Sequence, residues 1–229
     1  MHRLSVSGYD NRYTNPVSFY DRDELYYTQG EQFDDTVYPN IYSNTTKGVA
    51  HLADGKIVNK PFDFSQKNGF SIPDLEAVMK AVIFPEATPP EQRFDLTESD
   101  YKYLYKVMST LPREHEHPYY DREEYYDAYV KFFLYGDTKN PIPDNIRIFN
   151  KVGYAYGYLT DCAYIIDFKN NIEFLLTATI HVNKNKTYND GVYEYDDIGI
   201  PFLANLGRAV YEYELGRERV VVPDLFKYK

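Results

Sequence analysis

Apolar positions fall at helical spacing in two early stretches. Leu75, Val78, Met79, Val82 and Ile83 recur three and four apart behind Pro73-Asp74, and Pro85 closes the run. That spacing predicts a helix over residues 72–84. Thr97-Glu98-Ser99-Asp100 opens a second helix, with acid in the first turn where the helix dipole favours it. Tyr101, Leu104, Tyr105 and Met108 form its stripe, and Pro112 ends it. Tyr119 to Tyr135 reads as a third helix, faced by Tyr125, Tyr126, Tyr129, Phe132 and Phe133. The pattern then changes. Ile146 to Asn150 leads as a strand into Lys151-Val152-Gly153, and Cys162 to Phe168 and Ile172 to Val182 flank a turn at Asn170-Asn171. Pro201 to Leu215 is again helical before Gly216, with Phe202, Leu203, Leu206, Ala209, Val210 and Tyr213 recurring at three and four, and is expected to cover the sheet through Phe202, Leu206 and Val210. Residues 1–70 are polar and turn-rich, with one hairpin around Asp21-Arg22-Asp23 and a stronger one at Asp54-Gly55, whose glycine supplies the positive φ a tight turn needs. Helices followed by antiparallel strands imply an α+β fold. With no repeat and no long linker, residues 1–229 read as a single domain, with 71–140 its helical segment and 141–229 its strands plus terminal helix.

Composition narrows the partners. Twenty-five basic residues against 35 acidic ones give a net charge of −10, and an acidic surface argues against nucleic acid. Twenty-six tyrosines with no tryptophan suggest either an ordinary Tyr-rich shell or a carbohydrate-stacking surface; their even spread along the chain favours the first. Cys162 is the only cysteine, so neither an intrachain disulfide nor a cysteine zinc site is expected. The start, Met1 to Ser5, carries no apolar signal core, and no stretch approaches membrane-spanning length. No cofactor is expected.

The order Lys-x-Gly strand, two further strands and closing helix resembles the C-terminal half of the class A β-lactamase and penicillin-binding-protein superfamily of serine hydrolases. Asp10-Asn11-Arg12-Tyr13-Thr14-Asn15-Pro16 adds to it. That segment is similar, with one residue fewer, to the one that closes the omega loop in class A enzymes. The resemblance covers most of the chain except 17–70, which becomes a strand- and turn-rich insertion. It implies an incomplete α/β/α arrangement. It also implies roles: Lys151 supplies positive charge for a substrate carboxylate, Gly153 leaves room for substrate backbone, and the N–H of Tyr154 completes an oxyanion hole. Substrates would be a peptide, ester or cell-wall-type amide, and the location periplasmic or extracellular.

The departures matter as much. Val152 replaces the family's hydroxyl residue, and Leu4 to Asp10 holds no glutamate to position a deacylating water. Ser99-Asp100-Tyr101-Lys102 spells the nucleophile motif but falls after the omega-loop match, on an acidic helix start, and reads as a solvated face. Tyr42-Ser43-Asn44 reads as a turn. The chain is therefore expected to be a C-terminal portion, catalytically silent by itself, with an open sheet edge that promotes self-association. His115 and His117 lie in a loop between prolines; Glu123-Glu124 and Asp196-Asp197 are adjacent and so poorly placed as opposed acid and base; His181 is either packed or on a rim. The rival reading is a non-catalytic glycan- or peptide-binding module. A glycosidase using two of the acidic residues is the weaker enzyme alternative.

Overall fold

The computed structural model describes residues 13–33, 43–65, 67 and 69–228. Asp10 to Arg12 of the omega-loop resemblance, and Tyr42, lie outside them. The fold is mixed α+β, with small antiparallel sheets and a C-terminal helix, and the chain divides into two compact units, Met1–Gly69 and Phe70–Lys229.

The first unit is built from short strand pairs. β1 (Tyr13–Thr14) pairs with β4 (Gln32–Phe33), and β2 (Val17–Asp21) with β3 (Glu24–Gln29), across a turn that sets Arg22 at φ 55°. β5 (Thr46–Lys47) pairs with β8 (Phe62–Asp63). β6 (Ala50–Ala53) and β7 (Lys56–Val58) meet at Asp54-Gly55, both at positive φ, as the sequence predicts.

The second unit is a three-stranded antiparallel meander with helices on both faces. β9 (Ile146–Ala155), β10 (Tyr158–Asp167) and β11 (Ile172–His181) lie in the order β11-β10-β9. Lys151 opposes Cys162 and Ile148 opposes Ile165. Side chains alternate between faces. Phe149, Cys162, Tyr164 and Ile166 join α1 (Ile72–Ile83) through Met79 and Ile83, with Tyr105 and Met108 of α2 (Glu98–Ser109) packed alongside. Ile148, Val152, Leu159, Ala163 and Ile165 join Leu203 of α3 (Ile200–Gly216) and the segment from Ala128 to Leu134. Ser71 caps α1 through its hydroxyl, and Thr97 forms a reciprocal capping box with Asp100 at α2.

Three expectations need correction. Tyr119 to Tyr135 is a series of turns, with Leu134 at φ 68°. Its amides are satisfied from outside a helix: Asp121 takes those of Glu123 and Glu124, and Asp161 those of Phe132 and Phe133. On α1, Val78 is exposed. On α3 the buried face runs through Leu203, Ala204 and Gly207, with Leu206 and Tyr211 partly buried, while Phe202 is 45% exposed. The helix is rotated from the expected face because Gly207 lets its backbone approach Phe133 and Leu134 closely.

Candidate functional site: the open edge of β9

Lys151, Gly153 and Tyr154 come together at the outer end of an edge strand. Phe149, Lys151 and Gly153 share the α1–α2 face, while Val152 and Tyr154 share the α3 face. Lys151 is exposed and lies along the strand, its Nζ donating to the Val152 carbonyl oxygen at 2.5 Å. Partial loss of solvent lowers its pKa, against the pull of the Asp161 carboxylate. A methyl group built on Gly153 would meet no atom within 4 Å. Val152 is buried in the α3-side core, so the position where the resembled family carries a hydroxyl is here committed to packing. Tyr154 is 60% exposed and meets Tyr195 edge-to-face at 5.3 Å. Two concavities of this unit, one beside Glu173 and Arg219 and one beside Arg122 and Lys139, lie elsewhere. The site is a strand edge, suited to an extended chain that adds main-chain hydrogen bonds, with an ammonium beside it for a carboxylate.

The hydroxyl motifs do not join it. Ser99 bonds the cap hydroxyl of Thr97 at 2.8 Å, and Lys102 pairs with Glu98 at 2.7 Å. Ser43 is exposed and Asn44 has φ 59°, as a turn requires. His115 packs edge-on against Tyr120, and His181 is a rim residue with its ring tilted against Tyr158 at 4.2 Å and its Nε2 3.2 Å from the Tyr188 hydroxyl. Among the described residues, no group of three or more His, Cys, Asp or Glu is placed to hold a metal.

Sequence reasoning missed the polar network behind the edge. Asp161 is fully buried, and its carboxylate accepts from the Phe132 and Phe133 amides at 3.0 and 3.3 Å and from Asn150 Nδ2 at 2.9 Å. Lys131, also buried, donates to Asn150 Oδ1 at 2.8 Å and to the Met108 carbonyl at 2.9 Å. Burial raises Asp161 to about 6, offset by Asn150, the two amides and the Lys131 ammonium. Burial also lowers Lys131 to about 8, against the attraction of Asp161 and Glu114. The only sequence signals were an aspartate inside an apolar strand and a lysine inside an aromatic run.

That lysine has a measurable consequence. Its folded pKa lies below the unfolded value, so between pH 8 and 10.5 the unfolded chain binds more protons and the site's contribution to stability rises with pH. Urea unfolding of the wild type and Lys131→Met, compared pH by pH, cancels the tyrosine titrations. The difference should move in favour of the wild type by about 2 kcal/mol from pH 8 to 10. A pH-independent difference would show that Lys131 is not a buried ammonium.

Tyrosines that looked evenly spread in sequence gather in space. Tyr105, Tyr164 and Tyr228 meet Phe149 in the core. Tyr193 and Tyr154 flank Tyr195 at the end of the β9–β10 hairpin. No helix is long and apolar enough to cross a membrane among the described residues. Comparisons with known proteins return nothing: no family model matches the chain, and no curated protein and no solved structure is significantly similar to it.

Proposed function

We propose that this chain carries the substrate-side strand edge of a β-lactamase-related serine hydrolase. Acyl-serine chemistry on a peptide, ester or amide belongs to the intact protein, and the chain alone is silent. The observation that supports the reading is the edge of β9: Lys151 exposed, open space at Gly153, and an antiparallel meander between helical layers behind them. An extended substrate would lie along β9, its carboxylate on the Lys151 ammonium, its carbonyl oxygen toward the Tyr154 N–H. With Val152 buried, carboxylate recognition rests on Lys151 alone, which fits a weak ligand better than an efficient β-lactamase.

A fluorescent penicillin should leave no adduct at Ser99 or Ser43 by mass spectrometry. An N-acetylated dipeptide with a free carboxylate should shift the amide resonances of Lys151 to Ala155. Amidating that carboxylate, or making Lys151→Ala, should weaken binding about tenfold, or about 1.4 kcal/mol. Equal binding of acid and amide by wild type and variant would sink the reading. The Tyr154–Tyr195–Tyr193 cluster favours one other reading, a glycan platform. Shifts confined to those tyrosines on adding a soluble oligosaccharide would put it ahead.

A further inference from the structure

We propose that the concavity beside Arg122 and Lys139 binds a phosphate group, either free or at the end of an ester whose body lies outside, against the tyrosine wall. Arg113, Arg122, Tyr125, Tyr126, Asp127 and Lys139 line this space, and none of them belongs to the β9 edge. The second unit has seven arginines. Six of them hold the fold. Arg93 donates to the Thr88 carbonyl, Arg113 to Asp127 and Asp144, Arg147 to Glu114, Arg208 to Asp137, and Arg217 and Arg219 to Glu214. Arg122 has no hydrogen bond and no ion pair among the described residues, although Glu123 and Glu124 follow it directly. A guanidinium at the wall of a concavity with nothing to hold there points to a ligand. Lys139 lines the same space. Its Nζ donates to the Glu123 carbonyl at 3.1 Å and lies 5.5 Å from the centre of the Tyr126 ring. An ammonium has three donors, and the fold uses one of them.

Charge and size select the ligand. Asp127 is the one carboxylate in the lining, and it is already met by Arg113 at 2.5 Å and by the Ile142 amide at 2.8 Å. Asp144 lies on the same Arg113 guanidinium, and Asp121 takes the amides of Glu123 and Glu124. Arg122 and Lys139 are left without an ion-pair partner among the described residues, in a chain of net charge −10. Two cations match the charge of about −1.5 to −2 that a phosphate ester carries at neutral pH, whereas one carboxylate would leave a cation over. The arginine fork also fits two phosphate oxygens at once. The space is about 110 Å³, well below the roughly 300–1,000 Å³ of a site that encloses a drug-sized molecule. It therefore encloses the phosphate alone, and Tyr125 and Tyr126 offer ring surface to whatever the phosphate is attached to.

The test is an NMR titration of the full chain with inorganic phosphate and with phenyl phosphate, ionic strength being held constant with sodium chloride. Saturable shifts are expected at the Arg122 side-chain N–H and at the amides of Arg122, Tyr125, Tyr126 and Lys139. Arg122→Gln should weaken binding about tenfold, the loss expected for a charge-assisted hydrogen bond. Because Arg122 bonds nothing in the fold, its urea midpoint should stay at the wild-type value. Arg22→Gln is the control for general surface charge, since Arg22 is exposed, likewise without a partner, and in the first unit. It should bind as the wild type does. Tighter binding of phenyl phosphate, with larger shifts at Tyr125, would assign the site to an ester; equal binding would assign it to free phosphate. Absence of saturable shifts with both probes, undiminished binding by Arg122→Gln, or an equal loss in Arg22→Gln would overturn the proposal.

Discussion

Asp161→Ala should cost about 4 kcal/mol or more of folding stability, one of the two largest single-residue effects expected in this protein. The carboxylate is fully buried and holds three donors: the Phe132 amide, the Phe133 amide and Asn150 Nδ2. Truncation orphans all three, and each buried unsatisfied donor costs roughly 1–3 kcal/mol. It also removes the charge that compensates the buried Lys131 ammonium, and breaking a buried pair costs about 3–5 kcal/mol by itself. These penalties overlap and do not add. Against a total stability of about 5–15 kcal/mol for an ordinary domain, the loss is severe. Asp161→Asn keeps one acceptor but turns an NH2 toward the remaining donors, so about half of the loss should persist. The check is the urea midpoint at pH 7, where the wild-type carboxylate is ionised. An Asp161→Ala variant within about 1 kcal/mol of the wild type would mean that the segment from Val130 to Leu134 does not rest on this carboxylate.

The same network marks where the sequence stopped being readable. Local chemistry was legible. Ser71 and Thr97 cap their helices because their hydroxyls reach amides three residues on. Asp54-Gly55 turns because both residues take positive φ. The order of strands around Lys151 follows from apolar runs and the Asn170-Asn171 turn. Tyr119 to Tyr135 was not legible. Its aromatic residues mimic a helical stripe, but its conformation is set by contacts with groups outside it: Asp161 on β10 takes two of its amides, and Asp127 within it takes the Ile142 amide and the Arg113 guanidinium. Periodicity reports which side chains want burial, not whether a remote carboxylate will take the amides a helix would need. The candidate site divides likewise. Lys151 and Gly153 were visible as a motif, whereas the burial of Val152, which removes any hydroxyl role there, and the gathering of tyrosines beside Tyr154 required the fold.

The rotation of α3 rests on one glycine, and Gly207→Val should cost about 3 kcal/mol. In an exposed helix interior, replacing glycine normally helps, because glycine is about 1 kcal/mol poorer than alanine there. Here the sign reverses. A Cβ at position 207 would stand 2.6 Å from the Leu134 amide nitrogen and 2.9 Å from Phe133 Cβ, distances at which backbone must move. The contact cannot slide apart freely, because the next residue, Arg208, donates to the Leu134 carbonyl at 2.7 Å and pairs with Asp137 at 2.7 Å. Displacing Phe133 would also disturb its amide on Asp161, so the Gly207→Val and Asp161→Ala losses should be less than additive when combined. Gly153→Ala and Gly216→Ala meet nothing within 4 Å and serve as controls, each expected within about 0.5 kcal/mol of the wild type. Urea midpoints of the four variants and of the double variant decide the matter. A wild-type midpoint for Gly207→Val would place α3 farther from the Phe133–Leu134 backbone than van der Waals contact. The α3-side core would then need another explanation for why Phe202 faces water and Leu203 does not.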